Sequence, residues 1–285
     1  MPGHHNRHQR HAPWQDAHIP EELPPIRHVG VGHGVQWISE GWSLFLRRPG
    51  LWLVTAFLQT LLILLVLLVP LLGQVGAHLL MPILSAGLMV VAHRVDYNEP
   101  VAVADAFTGF KEHAPAVVNV GVWYMLGWML IVALGLLLGG GAAVSGMAVG
   151  METHSAWLGT VISVFGIILA VTISLLLVLP LVMSVWLAPP LAVFHDIPAM
   201  TAMKQSFLAS WRSLPAFIVA FFLVALMLFL TSLTLGLALL VVIPVMAGAT
   251  YAAYRDLFEL PQAMAESGPA APSTTSEPSS ETSHG

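Results

Sequence analysis

Four long stretches without charge are the feature that most limits what this chain can fold into. No Asp, Glu, Lys or Arg occurs in residues 49–93, 113–151, 153–195 or 213–254, which hold 45, 39, 43 and 42 residues. One membrane-spanning helix needs about 20 apolar residues, so the first and last stretches each have room for a helical hairpin. Only 9% of all residues are charged, whereas a soluble domain carries roughly 25%. The sequence therefore predicts an all-α, polytopic membrane helical bundle.

Six transmembrane helices, arranged as three hairpins, are predicted from these stretches. The predicted spans are 51–72, 75–93, 116–138, 157–188, 216–236 and 238–254. We expect tight turns at Gly73–Gln74 and Leu235–Gly236, and a longer exterior loop from Gly139 to Ser155. The fourth span can be interpreted in two ways. From Trp157 to Ala188 it would measure about 48 Å as one helix, and Pro180 could divide it. The second piece would then be short for a crossing, so one span is favoured.

The distribution of positive charge predicts the orientation. The ten basic residues are Arg7, Arg10, Arg27, Arg47, Arg48, Arg94, Lys111, Lys204, Arg212 and Arg255. With six spans all ten fall on one side, and short loops enriched in Lys and Arg stay cytoplasmic. We therefore expect a multi-pass membrane protein with both termini in the cytoplasm. Residues 1–34, rich in His, and 259–285, rich in Ser, Thr, Pro and Glu, are predicted to be disordered tails because they carry too little apolar surface to fold.

An internal repeat of about one hundred residues is also predicted. Each unit begins with a segment whose apolar residues, three or four positions apart, would share one face of an interfacial helix. These residues are Ile38, Trp42 and Phe45 in the first unit, Val101, Ala104, Phe107 and Phe110 in the second, and Met200, Met203, Phe207 and Trp211 in the third. Pro49, Pro115 and Pro215 then open the odd-numbered spans.

Several segments together resemble a known family. They are residues 35–38 (VQWI), 41–49 (GWSLFLRRP), 81–89 (MPILSAGLM), 194–196 (FHD), 203–207 (MKQSF) and 251–258 (YAAYRDLF). This set is similar to the uncharacterised proteobacterial six-helix integral membrane proteins. It is more distantly similar to the membrane domain of glycerophosphodiester phosphodiesterases. The resemblance covers residues 35–258 and implies an inner-membrane location, but it implies no activity and no functional residues.

Three groups of polar residues are candidate sites. Basic residues that would meet lipid headgroups are Arg47, Arg48, Lys111 and Arg212. A polar cluster around a central cytoplasmic opening is the second candidate, and simple helix-end ion pairing is its alternative; its members are His93, Arg94, Asp96, His195, Asp196, Arg255 and Asp256. Within the spans, Gln59 and Asn119 are expected to face each other across a helix interface. They would serve as packing contacts or line a pore.

These patterns favour a protein that is not an enzyme. The spans contain no charged residue of the kind that proton-coupled transporters keep in mid-membrane, and we find no catalytic triad, phosphate-binding loop or HExxH motif. We predict no cofactor, no metal site and no nucleic-acid partner. The favoured function is contact with lipid, with a partner protein or with a second copy of the chain. The alternative is a transporter or channel for an uncharged or lipidic molecule.

Overall fold

The computed structural model describes residues 24–70, 72–111 and 114–258, and these residues form helices joined by loops and turns, without a strand. The α-helices are α1 (His33–Arg47), α2 (Pro49–Leu67), α3 (Leu72–Asp96), α4 (Ala114–Glu152), α5 (Ala156–Trp186), α6 (Ala188–Phe194), α7 (Ala199–Arg212), α8 (Leu214–Leu233) and α9 (Leu239–Phe258). A 3₁₀ helix (Val103–Phe110) lies between α3 and α4. The all-helical prediction is confirmed for the described residues.

Five segments are long and apolar enough to cross a membrane. They are Pro49–Leu67, Leu72–Asp96, Pro115–Glu152, Ala156–Phe194 and Leu214–Leu233. Helix α9, which corresponds to the sixth predicted span, is not among them because its last turns carry Tyr251, Tyr254, Arg255 and Asp256. It is instead the best covered of the long helices, with buried residues from Val242 to Phe258, and it packs against α1, α2, α3 and α8.

The largest difference from the sequence prediction is in the middle hairpin. Residues 139–152, expected to form an exterior loop, continue α4 as helix to Glu152. This makes α4 a helix of 39 residues, about 58 Å long. Helix α5 also runs unbroken past Pro180 to Trp186. The following pair Pro189–Pro190 then opens α6.

Small residues explain why the glycine-rich part of α4 remains helical. A side chain at Gly146 would collide with the carbonyl oxygen of Gly159, and one at Gly166 would collide with the side chain of Ala142. Along the two helices these contacts form what we call the glycine seam, made of residues 135, 139, 142, 146 and 150 of α4 and residues 159, 163, 166, 170 and 174 of α5. Close backbone approach at small residues is how helices associate without a hydrophobic driving force.

Two smaller expectations were also wrong. The first hairpin turns at residues 68–70 rather than at Gly73–Gln74. Gly73 lies inside α3, where a side chain would collide with the carbonyl oxygen of Val66, so this glycine serves close packing. The predicted tail 1–34 is also too long, because Val29 is buried and Arg27 N–H donates to the carbonyl of Leu257. Residues 1–23 and 259–285 lie outside the described residues.

A short helix precedes α2, α4 and α8, as the predicted interfacial segments require. The face that α1 buries is made of Trp37, Gly41, Leu44 and Phe45, whereas the predicted face member Trp42 is exposed. Gly41 permits α1 to cross α9 at Gly248, where any larger residue would collide with the backbone. The second segment is 3₁₀ rather than α-helix, and a side chain at Gly87 of α3 would collide with its Ala106.

Candidate functional site

Charged residues from three helices meet at one end of the bundle, which we call the polar end. Arg255 of α9 forms ion pairs with Asp96 of α3 and with Glu40 of α1, the latter at 2.9 Å. Arg47 reaches the same Asp96 carboxylate at 3.3 Å and also donates to its carbonyl oxygen. Since both arginines are more than a third exposed, each pair is worth about 0.2–1 kcal/mol. This acid–arginine cluster, Glu40, Arg47, Asp96 and Arg255, fixes α1 across the ends of α3 and α9.

Asp256 has a separate set of partners at the polar end. Its Oδ2 atom accepts from the indole N–H of Trp37 at 2.9 Å and lies 2.7 Å from Nδ1 of His33. Arg27 lies 3.9 Å from its Oδ1 and donates to its backbone carbonyl. These contacts tie α1 and the segment before it to the end of α9.

Arg94 belongs to a third, local arrangement. Its guanidinium donates to Oδ2 of Asp105 at 2.8 Å, and the same oxygen accepts from the backbone N–H of Ala102. Asp105 thus caps the start of the 3₁₀ helix and links it to α3. This is the role of a carboxylate at a helix N-terminus.

The two histidines of the predicted cluster each pair with a tyrosine of α9. His93 Nδ1 lies 3.1 Å from the hydroxyl of Tyr251, and His195 Nε2 lies 3.0 Å from that of Tyr254. The ring of Phe194 lies between the pairs, 5.3 Å from both His93 and Tyr254. Burial lowers the pKa of His195 below its ordinary value of 6.5, because the cation loses hydration.

The predicted polar cluster is therefore divided into separate contacts. Asp96 and Arg255 meet directly, whereas Arg94 and Asp256 turn to other partners and the side chain of Asp196 is exposed. Glu40, Asp105, Tyr251 and Tyr254 were missed by the sequence analysis. Glu40 and Arg47 occupy one helical face seven residues apart, and the two tyrosines lie three apart, but neither spacing identifies a partner on another helix.

Each of the three interfacial segments has an exposed aromatic side chain in its second half and an exposed basic side chain at or just after its end. Trp42 is 45% exposed and Arg48 follows α1; Phe110 is 43% exposed and Lys111 follows it; Trp211 is 61% exposed beside Arg212. We call these three pairs the aromatic–basic anchors. Of the predicted headgroup contacts, Arg47 differs from the others because Asp96 engages it.

The predicted contact between Gln59 and Asn119 was wrong. The buried Gln59 amide donates to the carbonyl oxygens of Leu84 and Ala106, at 3.4 and 3.3 Å. It therefore joins α2, α3 and the 3₁₀ helix through backbone oxygens, which sequence patterns do not display. Asn119 is exposed on α4.

A cavity of about 380 Å³ lies among α3, α4, α5, α6, α8 and α9. Met81 and Ser85 of α3, Val185 of α5, Val224 of α8 and Met246 of α9 are among its lining residues, none of which is charged. Among the described residues no group of His, Asp and Glu is arranged to hold a metal ion.

Comparison with known proteins identifies one distant relative. The chain is 28% identical over 196 residues, 67% of its length and 72% of the other, to a Burkholderia thailandensis protein named a probable inner membrane protein. No family model matches the chain. No solved structure matches it either. The chain is an integral membrane protein. Its membrane-spanning helices contact bilayer lipid. The distant similarity to phosphodiesterase membrane domains stays a prediction.

Proposed function

We propose that this protein is a non-enzymatic protein of the bacterial inner membrane that works by holding anionic phospholipid at its cytoplasmic face. The observation that carries the proposal is the set of three aromatic–basic anchors. Each anchor combines an exposed ring in the second half of an interfacial segment with an exposed cation at or just after its end. Trp42 and Arg48 are six residues apart, and the other two pairs are adjacent in sequence. Tryptophan is favoured at the membrane–water interface, and each basic residue near an anionic surface contributes about 1 kcal/mol.

The other charged groups at the polar end have a structural role, because each is already paired with another side chain. Asp96, Asp105 and Asp256 are each occupied by arginine or histidine partners, and His93 and His195 by tyrosines. Groups satisfied in this way stabilise helix crossings. The anchor side chains, by contrast, are exposed.

A charge-removing variant tests the proposal. In the triple variant Arg48→Gln, Lys111→Gln, Arg212→Gln, retention of phosphatidylglycerol by the purified protein should fall at least about tenfold, because some 3 kcal/mol of attraction is removed if the sites add. Retention is measured by native mass spectrometry from mixed micelles. Phosphatidylethanolamine retention should not change. The matched control, R48K with K111R and R212K, keeps the charges and should behave as wild type. Unchanged phosphatidylglycerol retention in the glutamine variant would refute the proposal.

The proposed topology has six spans, with α9 as the sixth and both termini in the cytoplasm. The backbone hydrogen bond from Arg27 to Leu257 supports it, because an odd number of crossings would separate the two ends by a membrane. We propose that the three units, each a short helix followed by a hairpin, are internal repeats. The name of the distant relative supports the inner membrane as the location.

Transport of an uncharged or lipidic molecule is the second candidate, and the cavity beside the proline-containing helix α3 favours it. Small-molecule sites often lie between the helices of a bundle. Flux of a neutral solute into proteoliposomes, abolished when the cavity is filled, would favour this function over lipid holding.

A further inference from the structure

The walls of the cavity are hydrocarbon with a few hydroxyl groups. The polar side chains that line it include Ser85, Tyr124 and Thr250, and the Thr250 hydroxyl already accepts the indole N–H of Trp186 at 2.8 Å. A charged solute would find no counter-ion among these residues, and transferring it there would cost several kcal/mol. An uncharged apolar group meets no such penalty.

Aromatic rings close the cavity toward the polar end. Trp186 lies edge-on to Phe221 with ring centroids 4.4 Å apart, and edge-on to Phe217 at 5.6 Å. Phe217 is fully covered, with 1% of its surface exposed. These edge-on aromatic rings therefore separate the cavity from water and ions at the polar end.

The depth of the cavity follows from the charged residues on its own helices. On α3, Ser85 precedes Arg94 by nine residues, and on α9, Met246 precedes Arg255 by nine. At 1.5 Å per residue both lie about 14 Å from the ion pairs of the polar end. This is about half the thickness of a hydrocarbon core of ~30 Å, so the cavity is at the depth of acyl chains.

Helices α5 and α8 both line the cavity, and their backbones do not approach each other closely. Val185 and Val224 line the cavity from the two helices. On α8, Phe222 and Leu226, on either side of Val224, are among the exposed large apolar residues. Lipid therefore lies along the outer edge of the same wall.

We propose that the cavity holds one hydrocarbon chain of a bilayer phospholipid, inserted between α5 and α8 with its headgroup left outside. The volume, about 380 Å³, is within the range of small-ligand sites. This inference rests on the proposed function in naming lipid as the ligand. It differs from the proposed function because it requires the hydrocarbon chain of the lipid and not the charge of its headgroup.

Photo-crosslinking in vesicles tests it. The full chain is reconstituted with phosphatidylethanolamine carrying a diazirine on one acyl chain, and crosslinked residues are mapped by mass spectrometry. We expect labelling of Met246 from within the cavity, whereas Met81, which lines the cavity but is 52% exposed, would also be labelled from outside. Val224→Trp, which fills the cavity, should reduce the labelling of Met246 at least about fivefold. Leu226→Trp, on the outward face of the same helix, should leave it unchanged.

The outcomes separate this inference from the headgroup proposal. The proposed hydrocarbon-chain site would be overturned by either of two results. One is cavity labelling that persists in V224W at the wild-type level, and the other is labelling confined to outward residues such as Phe222. Val182→Phe serves as a second filling variant if V224W does not elute as a folded protein. Because the probe is zwitterionic, loss of anionic-lipid retention in the anchor variant does not affect the result. Cavity labelling that required phosphatidylglycerol would also overturn the inference as stated.

Discussion

At the scale of single residues, two histidine–tyrosine pairs hold the polar end together. A neutral imidazole accepts the Tyr254 hydroxyl at His195, and burial favours this neutral form. In the unfolded chain the same imidazole takes up a proton near pH 6.5. Stability should therefore be fully present above pH 6.5 and should decline as the pH falls below it, since the unfolded state then binds more protons.

Thermal unfolding in detergent between pH 7.5 and 5.5 checks this expectation. His195→Gln should flatten the decline of the unfolding midpoint below pH 6.5, because glutamine does not titrate. His28→Gln, at an exposed histidine, is the matched control and should keep the wild-type slope. Equal slopes for wild type and H195Q would contradict the assignment.

Single residues also show where sequence reasoning reached its limit. Asp96 and Arg255 were both expected at the polar end, because charge cannot enter the hydrocarbon core cheaply, and they form an ion pair there. Their partners Glu40 and Arg47 come from α1, whose direction across α9 depends on Gly41. The pairing of Gln59 with backbone carbonyls could not be predicted, since every residue offers such an oxygen.

At the scale of elements, the glycine seam keeps α4 and α5 together. Near its start at Leu72, α3 packs against α4: Leu79 contacts Gly121, and His78 contacts Trp128. The part of α4 after Trp128 therefore lies beyond the end of α3. Beyond that level the hairpin depends on its own seam. Glycine was interpreted as a loop signal at 139–141, because glycine weakens an isolated helix by about 1 kcal/mol. Packing against α5 and the need to satisfy every backbone group in an apolar environment outweigh that cost.

Substitution within the seam should therefore be costly. Gly146→Ala places a methyl group against the backbone of Gly159, and we expect a loss of about 1–3 kcal/mol in the free energy of unfolding. Gly140→Ala is the matched control, since no atom lies within 4 Å of the added carbon, and it should be neutral or stabilising by up to about 1 kcal/mol. Unfolding in mixed detergent–SDS micelles measures both. If the two variants unfolded alike, the seam would have no energetic importance.

At the scale of the whole molecule, the distribution of charge was enough to predict an all-helical membrane protein, because it depends only on the cost of burying ions. The central position of α9 could not be predicted in this way. Its small and aromatic residues, from Ala247 to Tyr254, are buried against other helices. The mean hydropathy of α9 therefore does not reveal how much of the helix is buried inside the protein.

The number of crossings can be measured directly. Reporter fusions after Glu152 should be active outside the cytoplasm, and fusions after Phe258 should be active inside it. The first follows from the hairpin of α4 and α5, and the second requires α9 to cross. A fusion after Lys111 is the cytoplasmic control. An external reporter after Phe258 would leave five crossings and exclude the six-span topology.

The hydrogen bond between Arg27 and Leu257 has a further consequence for the whole molecule. It brings the first and last described segments together, so whatever continues from both ends emerges at one point. Two binding elements attached at a common point act on a partner at effective concentrations that reach the millimolar range. A binding partner that recognised both ends weakly would therefore be held by avidity, with no further contact on the membrane-embedded helices.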